Sequence, residues 1–337
     1  MKLRVGTRRS PLALTQTRQT MDELVRRCPQ LGYELVEIVT TGDRILDRPL
    51  REAGGKGLFL KELDEALLQG RIDCAVHSMK DVPTDLAPGT TMAAVLERAD
   101  VRDVLVTAQG LALDALPGGT VIGTTSLRRQ AQVLVAAPGA SIRLLRGNVE
   151  TRIRKLGEGH CDATFLAAAG LARLGFTLGA DSGIAFPPGI AAGVAPVKGL
   201  ALDPFRFVPA PGQGAIAITA RSDDAATLAA LHALDHEETR LAVLAERGFA
   251  RVFGGGCHLP LAAYAEKRGQ EVALVGLLVT PDGSRSIRDE VRVDLGGTSG
   301  LEAAARAEEL GASLGNSFYA RGASEIIDLA GAAESHS

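Results

Sequence analysis

The run Val121-Ile122-Gly123-Thr124-Thr125-Ser126-Leu127-Arg128-Arg129 places a short apolar strand, a hydroxyl-rich turn and a helix start in immediate succession. Near the N-terminus, Leu3-Arg4-Val5-Gly6-Thr7-Arg8-Arg9-Ser10-Pro11 has the same layout, followed by a helical run to about Arg27. The likeness continues. In the first half, a strand from Leu35 to Val39 leads to Thr41-Gly42-Asp43. A helix from about Leu58 to Leu68 ends at Gly70, and Asp73 precedes the strand Cys74-Ala75-Val76. In the second half, the helix after Arg129 runs through Val135, and Ile142 to Leu145 leads to Arg146-Gly147-Asn148. A helix from about Val149 to Leu156 ends near Gly159, and Asp162 precedes the strand Ala163 to Leu166. Strands that alternate with helices predict parallel sheets with crossover helices. Two such units imply two similar α/β domains facing a cleft, with ligands at the carboxyl ends of the strands.

Around this core the chain divides further. The charged link from Glu97 to Arg102 reads as a hinge, which bounds a first domain at 1–97 and a second at 102–195. Residues 179–214 are dense in Gly and Pro and read as irregular chain returning to the first domain, with about 203–219 belonging to it and Ala215 to Thr219 forming a buried strand. From 222 to 331 the pattern changes to a third, smaller α+β domain. It has helices over Ala225 to Ala250 with a cap at Asp235, a hairpin of Val272 to Val279 and Ser286 to Val293 about Pro281-Asp282-Gly283, and a closing helix from Leu301 to Leu314. The tail, 332–337, reads as frayed.

Composition narrows the class. Hydrophobic residues make up 46% and charged residues 23% of 337, a globular balance suited to two or three domains. A net charge of −3 argues against nucleic-acid binding, so any anion site must be a local concentration of Arg and Lys. The charged start Met1-Lys2-Leu3-Arg4 is unlike a signal peptide, and the apolar runs are too short to cross a membrane. Cys28, Cys74, Cys161 and Cys257 form no CxxC pair and no zinc spacing, so no metal is expected and a reduced cytoplasm fits.

The motifs carry the chemistry. A helix start with open backbone N–H groups and hydroxyls suits an anion. Two arginines in the first turn, Arg128 and Arg129, oppose the helix dipole, a mismatch that an external anion would balance. An ordinary Ser/Thr cap with surface arginines is the plain alternative. Arg8 and Ser10 stand at the matching point of the first half. Arg146-Gly147-Asn148-Val149-Glu150-Thr151-Arg152 adds two arginines at a strand end, or is a solvated charge run. Gly54-Gly55-Lys56-Gly57-Leu58-Phe59 lacks the phosphate-loop spacing and reads as a flap carrying Lys56 and Phe59, or as a plain surface loop. His77-Ser78-Met79-Lys80-Asp81-Val82-Pro83 follows a buried strand, where active sites lie; Asp81 reads as catalytic, as an ion partner of Lys80 or as a cap. Gly254-Gly255-Gly256-Cys257-His258 puts a thiol in an unencumbered loop, whereas Cys74 and Cys161 fall within apolar strands and read as core.

Taken in order, TRRSPLA, TTGD, GGKGLF, HSMKDVP, GTTSLRR, LRGNVETR, PAPGQGA and GGGCHLP, spread from Thr7 to Pro260, closely resemble the porphobilinogen deaminases. The resemblance implies three domains, the first two built like periplasmic anion-binding proteins. It implies an enzyme that condenses four porphobilinogen molecules, with loss of ammonia, and releases the linear tetrapyrrole hydroxymethylbilane with water. It implies a dipyrromethane cofactor, made from two substrate units and bonded by thioether at the position of Cys257. The position of Asp81 is the catalytic acid of the family. Lys80, Thr124, Thr125, Ser126, Arg128, Arg129, Arg146 and Gly147 match cofactor-binding positions. Arg8, Ser10, Gln16, Arg146, Arg152 and Arg173 match substrate-binding positions. A monomer is implied too. The residue types suit this chemistry. Substrate and product are rich in carboxylates, which Arg pairs bidentately, and a fixed carboxylate near the pyrrole N–H stabilises the cation that develops there.

The sequence departs from the family pattern in three places: His258 stands where Gln is common, Val101 where Pro is common, and the stretch including Val194 to Phe207 is longer. A periplasmic-type anion-binding protein without catalysis would share the duplicated halves, but leaves Asp81, Cys257 and the third domain without a role. An intracellular ligand-sensing regulator would want a helix-turn-helix segment, and none is evident.

Overall fold

The computed structural model describes residues 1–41, 60–179, 182–187, 196–255 and 259–334. The first unit opens with β1 (Lys2–Arg8), α1 (Pro11–Arg27), β2 (Gly32–Ile38), α2 (Lys61–Leu68), β3 (Cys74–Ser78) and β4 (Thr90–Val95). The second contains β5 (Asp103–Thr107), β6 (Val121–Gly123), α3 (Leu127–Ala136), β7 (Ser141–Arg143), α4 (Val149–Gly157), β8 (Ala163–Ala167) and α5 (Ala168–Arg173). It continues through β9 (Thr177–Leu178), β10 (Ile184–Ala185) and β11 (Lys198–Ala201). The chain then returns through β12 (Ile216–Arg221) and α6 (Ala225–Leu231). The third unit is α7 (Glu237–Val252), β13 (Leu261–Arg268), β14 (Glu271–Val279), β15 (Ser286–Asp294), α8 (Gly300–Tyr319) and α9 (Ala323–Glu334).

The two halves match as the sequence implies. β1 lies between β2 and β3 in parallel, with Val5 opposite Cys74; β6 lies between β7 and β8 in parallel, with Ile122 opposite Ala163. Each helix start is built from local chemistry. Ser10 caps α1 by accepting the Ala13 N–H, with Pro11 preset for the first turn. Ser126 caps α3 in the same way through the Arg129 N–H. Ala13, Gln16, Thr17, Thr20, Met21 and Leu24 then recur at helical spacing on the buried face of α1.

The sheets are mixed rather than parallel. The first sheet runs β2-β1-β3-β12-β4 and the second β11-β5-β8-β6-β7, and β12 and β5 are antiparallel to β3 and β8 respectively. The cause is connectivity: a strand that arrives across the hinge enters its sheet from the opposite end to a strand fed by a crossover helix. The second sheet extends beyond residue 195 to Ala201, and Phe207 stacks on Phe165 within that unit, so the return to the first sheet starts at Ile216 rather than about 203. Leu231 and Leu234 join the core of Leu3, Val5, Met21 and Cys74 in the first unit, so the third begins at α7 and not at 222. The cap of α7 is His236, not Asp235; Asp235 instead accepts the Val95 N–H and pairs with Arg240. At the other end, α9 continues to Glu334, past the expected start of the tail.

The three antiparallel strands of the third unit carry α7 and α8 on one face, with Phe249 and Phe318 edge to face at 5.2 Å. The other face puts Val275 and Leu277 with Ala131 and Val208, so this sheet backs onto α3, the helix that begins with the paired arginines. Cys74 and Cys161 are buried in the first and second cores. Burial, then the charges of Asp73 and Asp224, push the Cys74 thiol up to about 12, which leaves it inert at neutral pH.

Candidate active site

Asp81 lies in a single 3-10 turn, Met79–Asp81, directly after β3. Met79 is buried and its N–H is held by the Ala215 carbonyl at 3.0 Å, which leaves Asp81 exposed at the carboxyl end of the strand. A pocket of about 60 Å³ opens beside it, with Arg8, Ser10, Gln16, His77 and Ser78 among its walls. His77 is buried against Thr219, Nε2 to Oγ1 2.9 Å. Burial, then the charge of Arg8, pushes its imidazole down to about 4, so it is neutral at pH 7.

Across the cleft, Arg128 and Arg129 begin α3 and are both buried. Their first counterion is internal. Asp103, fully buried in β5, takes Arg129 Nη2 at 2.6 Å and Nε at 3.0 Å on Oδ1. Its Oδ2 stands 2.8 Å from Arg128 Nη1, an ion pair whose angle is not that of a hydrogen bond. Burial alone would raise the Asp103 carboxyl; the two guanidinium groups hold it well below the usual carboxylate range. The helix-dipole mismatch is therefore met from inside, not first by an external anion. Arg129 also donates Nη1 to the Phe165 carbonyl at 2.8 Å. Of its five N–H groups, three are thus used by the protein itself.

Further cations gather beside this pair. Lys80 lies within electrostatic reach of Asp81, Arg129, Asp103 and Arg128, and Arg152 within reach of Arg129 and Arg146. Lys80, Arg128, Arg129, Arg146 and Arg152 thus gather in one place, with Asp81 and Asp103 among the carboxylates near them. Lys80 is half-buried and makes no hydrogen bond or ion pair among the described residues; burial pushes its ammonium down to about 8. Burial, then Arg129 and Arg146, lowers Arg152 to about 10. Arg152 is held by the Gly147 carbonyl at 2.8 Å. Gly147 has φ +126°, and a Cβ there would stand 2.6 Å from Thr151, so only glycine fits this turn. Thr124 is buried and accepts the Ser126 N–H, while Thr125 is exposed.

Gln16 and Arg173 engage each other across the two α/β units. Arg173 Nη1 reaches Gln16 Oε1 at 3.5 Å, Nη2 donates to the Gly214 carbonyl at 2.6 Å, and Ser78 donates to the same Gln16 oxygen at 3.2 Å. The hinge is equally built. Arg98 Nε donates to the Gln213 carbonyl, Ala99 N–H to the Gly214 carbonyl, and Gln213 Nε2 to the Val101 carbonyl, so the two crossings are bonded to each other. A larger cavity of about 520 Å³ lies at the hinge, beside Arg98, Arg102, Tyr264 and Lys267. Its cations are paired, Arg98 with Glu246, Arg102 with Asp100 and Lys267 with Glu238, whereas Lys80 beside Asp81 has no partner among the described residues.

Residues 3–229 match the family profile "Porphobilinogen deaminase, dipyromethane cofactor binding domain", and residues 240–320 match "Porphobilinogen deaminase, C-terminal domain". The porphobilinogen deaminase of Shouchella clausii is 45% identical over 328 residues, covering 97% of this chain and 96% of its own. That of Brevibacillus brevis is 46% identical over 289 residues, covering 86% of this chain and 88% of its own.

The chain belongs to the porphobilinogen deaminase family.

The family's cofactor-binding domain spans both arginine-bearing units, and its residues fit a ligand rich in carboxylates. The observation is the half-buried Lys80 with no partner among the described residues, near Arg128, Arg129, Arg146 and Arg152. Cys257 and the flap residues Lys56 and Phe59 lie outside the described residues. Asp103, Arg98 and Glu246 were not legible as site residues: their roles come from pairings 26 and 148 residues apart in sequence, with no local signal. Asn148 was legible in hindsight. It caps α4 by accepting the Thr151 N–H at 2.8 Å, the usual place of Asn before a helix.

Proposed function

We propose that this protein condenses four porphobilinogen molecules stepwise, with loss of ammonia, onto a dipyrromethane bonded by thioether to Cys257, and releases hydroxymethylbilane by hydrolysis. When bound, the dipyrromethane supplies the pyrrole carbon from which the tetrapyrrole is built. The observation that carries the reading is Asp81 exposed at the end of β3 within reach of a cation cluster that includes Lys80, which has no partner among the described residues.

Lys80, Arg128, Arg129 and Arg146 hold cofactor carboxylates, with Thr124, Thr125, Ser126 and Gly147 shaping the turns around them. Arg8, Ser10, Gln16, Arg152 and Arg173 receive the substrate. Each porphobilinogen brings two carboxylates, which orient it by charge-assisted pairs. As its aminomethyl C–N bond breaks, ammonia leaves and positive charge spreads to the ring nitrogen. The Asp81 carboxylate stabilises that charge where it forms and moves the proton that departs with ammonia. Neutral His77, buried beside the turn, adds no competing cation. Arg173, bonded in this conformation to Gln16 and Gly214, turns to substrate only when the cleft rearranges.

The same reading makes the protein a cytoplasmic monomer. Cys28, Cys74 and Cys161 carry free thiols, and no described helix is long and apolar enough to cross a membrane. The purified protein should be heavier than its sequence by one dipyrromethane, react with Ehrlich's reagent, and consume porphobilinogen. Cys257→Ala should fold, lack the adduct and be nearly inactive. An adduct that persisted in that variant would refute the anchor, and a parent protein with neither adduct nor turnover would refute the function.

A further inference from the structure

Arg247 is a buried cation on α7, only 6% exposed, and no carboxylate among the described residues pairs with it. A charge in that position is costly unless its N–H groups are satisfied in another way. Its guanidinium is spent on three consecutive backbone carbonyls. Nη1 donates to Val82 at 3.0 Å, and Nη2 donates to Pro83 at 2.6 Å and to Thr84 at 3.0 Å. These are the three residues that follow Asp81. One turn later on the same helix, Arg251 donates to the Thr84 carbonyl as well, at 3.0 Å, and pairs with Asp85.

The other sides of this segment are closed too. The Val82 N–H closes the turn on the Met79 carbonyl at 3.0 Å, and a Cβ at Gly212 would stand 2.4 Å from Met79. Just past the end of α7, a Cβ at Gly255 would stand 2.3 Å from the Thr84 hydroxyl, so the chain leading toward Cys257 rests directly on the segment leading away from Asp81. The third unit is thus fastened to the Asp81 turn through main-chain atoms, which fix position in a way that a flexible side-chain pair does not. A planar fork is the one side chain able to take several carbonyls in a fixed geometry; an ammonium has no such fork.

Resting on the function proposed above, we infer that Arg247 is a positioning residue for the reaction: it locks the backbone after Asp81 to a helix whose last residue, Val252, precedes Cys257 by five positions in the sequence. Arg247 touches neither substrate nor cofactor. It sets the distance between the Asp81 carboxylate and the third unit, and a misplacement of about 1 Å at a reacting group can cost on the order of a hundredfold in rate.

The test compares the full-length parent with Arg247→Gln and Arg247→Lys. Intact mass gives the fraction of molecules carrying the adduct, kcat and KM for porphobilinogen are taken per adduct-bearing molecule, and hydrogen exchange is followed over residues 79–86. Arg247→Gln should lower kcat by about tenfold or more with KM within about threefold, and should speed exchange at the Val82 amide as the turn loosens. Arg247→Lys, which keeps the charge without the fork, should recover part of the rate. A kcat per loaded molecule within about twofold of the parent in both variants would overturn the inference, whatever happened to thermal stability. So would failure of both variants to fold, which would make Arg247 a folding residue. A parent without adduct or turnover would instead strike at the proposed function, so the two failures are distinguishable.

Discussion

Asp103 Oδ1 and Arg129 Nη2 stand 2.6 Å apart in the core of the second unit, with Asp103 fully buried. This contact fixes the helix start that faces the cleft, and it sets how much of the arginine is left for a ligand. The carboxylate pins one side of the fork from a neighbouring strand, and the Phe165 carbonyl takes a third N–H.

Asp103→Asn keeps the shape and removes the charge, leaving Arg128 and Arg129 buried without a counterion. Breaking a buried pair in this way costs about 3–5 kcal/mol. Urea unfolding should show a loss of that order, with poorer adduct formation in the molecules that fold. A loss under about 1 kcal/mol would show that the arginines draw their balance from another anion.

Asp81 tests charge against hydrogen bonding. Asp81→Ala should fold and lose at least a hundredfold in turnover, roughly the scale of one electrostatic stabiliser. Asp81→Glu keeps the charge about one methylene out of place and should retain partial activity, with enzyme carrying one to three extra units visible by intact mass. Asp81→Asn should resemble Ala more than Glu. Single-turnover rates on adduct-bearing enzyme decide the order, and an Asn variant as active as Glu would remove the charge-stabilising role.

His77 gives the fold an acid sensitivity of definite sign. Its folded pKa of about 4 lies below the ordinary value of 6.5, so between those values the unfolded chain binds a proton that the folded chain refuses. Stability from this group is full above about 6.5 and falls as pH drops toward 4, by up to about 3 kcal/mol. Urea midpoints at pH 7 and 4.5 should differ less in His77→Gln, which keeps a donor for Thr219, than in the parent. Equal differences would mean that His77 is not held neutral.

Much was determined by the sequence alone. The repeated strand, hydroxyl turn and helix start at Gly6–Pro11 and Gly123–Arg129 specify local structure because caps and periodicity act within a few residues. The same turns carry Ser10, Ser126, Arg128 and Arg129, and the turn after the strand at Cys74 carries Asp81, so these candidates were legible together with the fold. Strand direction was not. β12 and β5 run antiparallel to neighbours that read as parallel, because direction depends on which end of a sheet the chain enters after crossing the hinge. Partner choice was not legible either. The charged link at Glu97 to Arg102 reads as a hinge with no partner named for its charges; in the structure Arg98 pairs with fully buried Glu246, which also takes the Gly212 and Ala265 N–H groups. Arg247 lies in a stretch that reads only as helix, with nothing to mark it, yet it spends itself on the carbonyls after Asp81. A residue's type, cap and period are set by its neighbours in the chain; whether its charge meets water, a carboxylate or a row of carbonyls is set by distant segments that only packing brings within hydrogen-bond range.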